Sequence, residues 1–345
     1  MNCESGNLAL IEIIRDKIRR DGPQPFAWFM EQALYHPAHG YYSSDRAEIG
    51  RDGDYFTNVS VGPLFGQLLA IQFVEIWQAM GKMERFSIVE QGAHHGQFAR
   101  DVLEFSRRRF PDFFSALTYR IIESFPKLRD RQQDALKEFS NSVQWSTSLG
   151  ELEPFVGVHF SNELLDAMPI NLRGKLVGLN GDNFGFVKAP TDQILNQTQL
   201  DWIEAIAKKL KRGFVLAIDY GFSNADFHEV LQVRARHRLV DSPFNEIGQA
   251  DVTAHVNWTD IAKAGERYAL WVSGFTDQHH FLTGIISAFP EIVADEKSKR
   301  ALQTLLHPEM LGRSFQVLAL SKDVDPGVRL KGFKFARDPR KTLSL

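Results

Sequence analysis

Cysteine is almost missing from this chain: Cys3 is the only one in 345 residues. No disulfide can form within the chain, and zinc sites built on several thiolates are ruled out. Long apolar runs are missing too. The longest candidate, residues 64–80, is interrupted by Gln67, Gln72 and Glu75 and does not read as a bilayer span. There is no surplus of positive charge: 40 Lys and Arg stand against 43 Asp and Glu, a net charge of −3. That leaves no broad basic footprint for nucleic acid, and the short basic runs at 107–109 and 337–341 read as solvated faces. The first residues carry neither a basic stretch leading into an apolar one nor an arginine-rich, acid-poor leader. A cytoplasmic location without membrane insertion is therefore expected. The elbow G-x-S-x-G, the phosphate loop G-x-x-x-x-G-K-[ST] and the dinucleotide turn G-x-G-x-x-G are all absent, which argues against hydrolase, nucleotidase and dinucleotide-binding readings. The histidine pairs His36/His39, His94/His95 and His279/His280 come without acids at metal-ligand spacing. The sequence sets no oligomeric state.

What is present is an ordinary globular composition, 43% hydrophobic and 24% charged. Amphipathic spacing predicts helices over 7–20 and 25–34. A glycine- and aromatic-rich loop follows over 36–57, and Pro63 opens a long helix. Beyond it the pattern alternates. Apolar runs at 86–89, 119–122, 143–145, 156–160 and 214–218 read as strands, and 97–110, 126–139 and 200–211 read as helices. Further on, 258–264 and 296–306 read as helices and 268–272 and 315–320 as strands. Strands alternating with helices imply parallel βαβ units in a doubly wound α/β sheet. Residues 222–256 break the rhythm and read as a lid insertion. Two regions result: an N-terminal helical segment with a covering loop, 1–62, and a main domain, 63–345.

In an open α/β sheet, ligands bind beyond the carboxyl ends of the strands. Four of those ends are rich in polar groups or glycine. The first, Glu90-Gln91-Gly92-Ala93-His94-His95-Gly96, takes a strand through a glycine turn into a helix. It is either a place where backbone approaches a ligand closely or a simple connector. The second is Glu123, whose two carboxylate oxygens suit the two hydroxyls of a ribose, or which is an ordinary surface acid. The third, 161–169, gathers Asn162, Glu163 and Asp166. Such carboxylates hold a guanidinium or orient an amine; the alternative is a capped helix start. The fourth is Asp219 after the most apolar strand, either functional or a structural strand end.

Taken in order, the segments 35–42, 53–57, 63–66, the glycine turn, Leu128-Arg129 with Gln132 or Gln133, Asn162-Glu163 with Asp166-Ala167, 219–221, 251–256 and 315–322 resemble the MidA-like family of class I S-adenosylmethionine-dependent methyltransferases. The resemblance covers roughly residues 10–325. It implies a seven-stranded, mostly parallel sheet with an antiparallel last strand and S-adenosyl-L-methionine as methyl donor. It also implies a protein substrate, since the family's mitochondrial member methylates an arginine of a complex I subunit. On this resemblance Glu90, Gly92, Gly96, Glu123 and Asn162 belong to the cofactor site. Asp54 and Thr57, with Tyr41, belong to the loop that covers it, and Asn162, Glu163 and Asp166 face the reacting centre. One departure matters: His94 stands at the middle glycine of the turn. It puts a β-carbon and an imidazole where backbone normally meets the ligand. The alternative expectation is thus a catalytically degenerate paralogue acting as a binding or assembly factor.

Overall fold

The computed structural model describes residues 5–43, 57–188, 194–223, 230–235 and 238–345, with backbone only for residues 309 and 310. Backbone contacts divide the chain into two compact units: Met1–Phe56 with Leu165–Asp201 and His228–His255, and Thr57–Leu164 with Trp202–Phe227 and Val256–Leu345.

The larger unit is built on one sheet. Its strands are β1 (Phe86–Gln91), β2 (Leu117–Ile122), β3 (Val143–Ser146), β4 (Phe155–Asn162), β5 (Leu210–Phe222), β6 (Trp271–Asp277) and β7 (Phe315–Lys322). They lie in the order β6-β7-β5-β4-β1-β2-β3. The neighbours β5-β4, β4-β1, β1-β2 and β2-β3 pair in parallel, and β7 runs antiparallel between β5 and β6. The doubly wound, mostly parallel sheet with an antiparallel last strand is therefore present. A two-residue strand, Val256–Asn257, adds in parallel beside the end of β5.

The sequence explains the burial. From Phe214 to Ile218, β5 is apolar at every position and no more than 2% exposed, as a strand covered on both faces requires. Helix Leu64–Ala79 is apolar nearly all round and buried over most of its length. Helix Gln97–Arg109 buries one face, where Phe98 stacks on Phe160 of β4 with ring centroids 4.5 Å apart. Backbone contact is closest where β4 and β5 begin. A β-carbon at Gly157 (φ +144°) would overlap the Ser87 carbonyl, and one at Gly213 (φ +135°) would overlap the Gly157 carbonyl.

The smaller unit has its own apolar core. Helix Leu8–Asp21 starts at Asn7, whose side chain accepts from the N–H groups of Ala9 and Leu10. Helix Phe26–Tyr35 follows a short strand, Gln24–Pro25, that pairs with the hairpin Lys175–Asn180/Asn183–Lys188. A ribbon of Leu231–Ala235 with Asp251–Ala254 completes the unit. Leu10, Ile14, Phe26, Phe29, Val177, Phe184, Val233, Phe244 and Val252 share one core.

Several expectations change. The N-terminal segment and the lid insertion were read as separate attachments, the first ending at residue 62. The contacts place them in one unit with 165–201, because their apolar side chains share a core, and assign 57–62 to the larger unit. The strand expected at 268–272 begins later, at Trp271. Tyr268 to Leu270 instead close a turn whose N–H groups reach back to Gly265 and Glu266. Helix Gln278–Ile286 was not expected, although Asp277 caps it and Phe281, Leu282 and Ile285 form a buried stripe. The hairpin was also unexpected. Its turn carries the Asn180-Gly181 signal, with Gly181 at φ +63°, but Gly178 and Gly185 interrupt the alternation that marks strands.

Gly157→Ala must push β1 and β4 apart or strain its own backbone. We expect it to lower unfolding free energy by about 2–4 kcal/mol in urea titration. A change within experimental error would show that the β1–β4 contact is looser than described.

Candidate cofactor and methyl-acceptor site

Strand register brings the predicted strand ends to one level. Gln91, the last residue of β1, lies opposite Ile122 of β2 and Ser161 of β4. Asn162 of β4 lies opposite Ile218 of β5. Gly92 therefore emerges between Glu123 and Asn162, with Asp219 one strand beyond. The chain runs outward from β1 to β3 and then returns to β4 on the other side of β1, so this is the switch point at which a doubly wound sheet opens a crevice.

The turn after β1 is tightly wound. Gly92, His94 and Gly96 have φ of 85°, 45° and 77°, and Gly96 leads directly into helix Gln97–Arg109. His94 thus takes a left-handed, glycine-like backbone despite its β-carbon, at a cost of about 1–2 kcal/mol. Its ring packs tilted by 33° against that of His95 with centroids 3.7 Å apart, and His95 Nε2 lies 3.1 Å from a guanidinium nitrogen of Arg131. Gln132 is fully buried and fastens the turn to the neighbouring strand end. Its Nε2 donates to the His94 carbonyl (2.8 Å) and to Glu123 Oε2 (3.0 Å), while its Oε1 accepts from Trp145 Nε1 (3.1 Å).

Glu123 is 7% exposed. Burial pushes its carboxyl above the usual range, against the backbone N–H of Phe125 and the Gln132 amide, which favour the ionised form. Oε1 accepts from Phe125 N at 2.9 Å and Oε2 from Gln132. A carboxylate offers about four acceptor positions, so capacity remains on both oxygens for a pair of hydroxyl donors. The acid and the glycine turn beside it thus fit the ribose of an adenosyl cofactor. Glu90 differs in kind. It is 4% exposed, and its Oε2 accepts from the Tyr119 hydroxyl at 2.7 Å. Burial raises its pKa to about 7.

At the end of β4 the chain turns sharply. Glu163 has φ +54°, and its N–H donates to the Ile218 carbonyl of β5. The next N–H, of Leu164, donates to Asp219 Oδ2 at 3.0 Å, and Asp219 Oδ1 accepts from Tyr220 N. Asp219 is 1% exposed; in these bonds it clamps a loop, which supports the structural alternative for this acid. The helix-start alternative for 162–168 is not what forms, since 163–168 are turns and bends. Leu164 packs toward the glycine turn: a β-carbon at Gly92 would touch its Cδ1 at 3.4 Å. Asn162 Nδ2 donates to Glu163 Oε1 at 2.8 Å, and the backbone N–H of Asn58 points at the same oxygen at 3.3 Å.

The other expected residues lie as follows. Thr57 is buried, and its backbone and hydroxyl bond with Ser60 around a short 3-10 turn. Asp54 lies outside the described residues. Tyr41 is fully buried in the core of the smaller unit. Asp166 also belongs to the smaller unit and is 7% exposed; its carbonyl accepts from Ala254 N. The sequence reading assigned no role to Gln132 and did not single out Asn58 or Gln278. All three are buried amides with polar neighbours in sequence, such as Arg131 and Gln133, Thr57, or Asp277 and His279, so nothing local marks them.

A glycine turn and a ribose-fitting acid at the switch point of the sheet are the arrangement of a nucleoside-cofactor enzyme of the class I methyltransferase type. Residues 68–175 and 188–276 match the family described as "Putative S-adenosyl-L-methionine-dependent methyltransferase", and the chain belongs to that family of S-adenosyl-L-methionine-dependent methyltransferases. It is 26% identical to the protein arginine methyltransferase NDUFAF7 homolog, mitochondrial, of Drosophila melanogaster, over 92% of this chain and 86% of that one. It is 24% identical to the protein arginine methyltransferase NDUFAF7, mitochondrial, of Homo sapiens, over 94% and 85%. A crystal structure from Burkholderia thailandensis bound to S-adenosyl-homocysteine matches with a TM-score of 0.85 and 27% identity, over 96% of each chain.

The raised pKa of Glu90 has a sign. Its contribution to stability is complete below the unfolded value near 4.5 and is lost as pH rises through about 7. Between pH 5 and pH 8 the wild type is expected to lose about 2–3 kcal/mol relative to Glu90→Gln. Parallel pH profiles of the two in thermal unfolding would refute this. Because the His94 backbone already has the glycine conformation and its ring packs on His95, His94→Gly should change S-adenosyl-homocysteine affinity by less than about threefold, under 1 kcal/mol. A gain of about thirtyfold in calorimetry would show that the imidazole obstructs the cofactor.

Proposed function

We propose that this methyltransferase acts on an arginine of a partner protein, and that Glu163 receives the guanidinium. A subunit of respiratory complex I is the first candidate partner, because the family resemblance points there. The observation that carries the reading is Glu163 itself: a partly exposed carboxylate beside the glycine turn, held on a left-handed backbone with two donors on one oxygen. A backbone held in that conformation at a strand end is strain of the kind concentrated at functional sites. The names of the relatives, protein arginine methyltransferases at 24–26% identity, agree with it.

S-adenosyl-L-methionine supplies a methyl group already activated on a sulfonium, so the protein's work is alignment and proton handling. Gly92 and Gly96 would bring backbone against the cofactor, and Glu123 would take its ribose hydroxyls. An arginine side chain is protonated at any physiological pH. Glu163 would hold that cation by charge-assisted hydrogen bonds. It would thereby localise positive charge on the nitrogens facing it and free the lone pair of the nitrogen facing the methyl group. The nitrogen–carbon bond would form as the methyl–sulfur bond breaks, with that electron pair staying on the sulfur of the S-adenosyl-homocysteine that leaves, and the methylated nitrogen would give up its proton to water or, through water, to Glu163.

Calorimetry with S-adenosylmethionine, S-adenosyl-homocysteine and NADH comes first, with binding of the first two alone expected. Incubating the protein with methyl-tritiated S-adenosylmethionine and a lysate of source cells lacking this gene should then put label into methylarginine after acid hydrolysis. Glu163→Gln should cut that incorporation by about a hundredfold or more while leaving S-adenosyl-homocysteine binding intact. Label found only in other residues would end the arginine reading. The degenerate-paralogue alternative would gain if neither methionine-derived ligand bound.

A further inference from the structure

Two fully buried amides, Asn58 and Gln278, lie behind the Glu163 loop. Asn58 precedes a short 3-10 turn, Val59–Val61, but its side chain does not cap it. Gln278 opens helix Gln278–Ile286, where Asp277 is the cap. Gln278 Oε1 is buried and has no hydrogen-bond partner among the described residues. Leaving a buried acceptor unpaired costs about 1–3 kcal/mol, a cost an apolar side chain of similar size would avoid. The amide has a use that offsets it.

The hydrogen bonds form a directed series. Gln278 Nε2 donates to Asn58 Oδ1 (2.7 Å), Asn58 Nδ2 donates to Asn162 Oδ1 (2.9 Å), and Asn162 Nδ2 donates to Glu163 Oε1 (2.8 Å). Both ends fix its direction. Gln278 Nε2 also donates to the Leu305 carbonyl (3.2 Å), so the amide cannot be flipped without setting oxygen against oxygen. At the far end an ionised carboxylate only accepts. Reversing any amide between them would oppose two acceptors or two donors. The Asn58 backbone N–H, also directed at Glu163 Oε1, ties the same residue to the carboxylate a second time.

We propose that Asn58 and Gln278 are positioning residues for methyl transfer: through Asn162 they hold the Glu163 carboxylate in the one orientation that receives the acceptor guanidinium. The proposal rests on the arginine reading for what Glu163 receives; the aiming of Glu163 stands on the geometry alone. Neither amide touches the reacting atoms. A side chain on a left-handed backbone at a loop has several rotamers available, and the series selects one before the acceptor arrives, which lowers the ordering cost of binding.

The test uses the full chain with Asn58→Ala and Gln278→Met and three readouts. S-adenosyl-homocysteine affinity by calorimetry should stay within about twofold of wild type. Affinity for acetyl-arginine amide, measured with S-adenosyl-homocysteine saturating, should fall tenfold or more in both variants, as in Glu163→Gln. Crystal structures of wild type and Gln278→Met should show one Glu163 rotamer in the first and a displaced or divided carboxylate in the second. Unchanged arginine affinity with an unmoved Glu163 would overturn the proposal. So would a parallel loss of S-adenosyl-homocysteine affinity, which a general structural defect predicts. Should Asn58→Ala fail to fold, Gln278→Met decides by itself. Should the wild type bind S-adenosyl-homocysteine but ignore acetyl-arginine amide, the arginine reading fails, and the Glu163 rotamers in the two crystals decide the relay separately.

Discussion

The in-register parallel pairing of β1 with β2 on one flank and β4 on the other is the constraint on which the site depends. Parallel strands end at one level only if their registers agree. The pairings of Gln91 with Ile122 and with Ser161 set the glycine turn between an acid on one side and an amide–carboxylate pair on the other. Slip either pairing by one residue and every side chain on that strand changes face. Glu123 would then exchange its place with Ile122. The register is in turn held by close backbone contact: Gly157 and Gly213 leave no room for a β-carbon where β1, β4 and β5 start.

Amides join several parts of this site, beside the Arg129 guanidinium, which donates to the Glu123 carbonyl at 3.0 Å. Gln132 ties the turn to Glu123, and Asn58, Asn162 and Gln278 tie two other segments to Glu163. An amide both donates and accepts, so it transmits a preferred direction without adding net charge. A lysine or arginine in the same buried place would neutralise the carboxylate it supports and compete with a cationic substrate.

Much of this was legible in the sequence, for a specific reason. Strands buried on both faces read as largely apolar runs, so Glu123, Asn162 and Asp219 stood out among the polar residues that end them. Their level in the sheet followed from the α/β pattern. The rest was less legible. The sequence left Asp219 open between a functional acid and a structural strand end, and its carboxylate accepts from the N–H groups of Leu164 and Tyr220. Gln132, Asn58 and Gln278 act through partners distant in sequence, and a single buried amide leaves no periodic trace. Helix Gln278–Ile286 had a cap and an apolar stripe, yet the strand before it had been placed too early and no helix was read there. The smaller unit was missed because it is assembled from three separated segments, each too short to announce a shared core.

That discontinuity shapes how the chain is made. Phe26 and Phe29 leave the ribosome early, but Phe184 and Phe244, which pack with them, follow only after more than 150 further residues. At about 5–20 residues per second, the two N-terminal helices spend roughly ten to forty seconds with their apolar stripe uncovered, while most of the larger unit's sheet is already being synthesised. Until those partners arrive the stripe is exposed apolar surface of the kind that promotes aggregation. A fragment that stops before Ile170 would lack Val177, Phe184, Phe244 and Val252, which share a core with it, and would display it permanently.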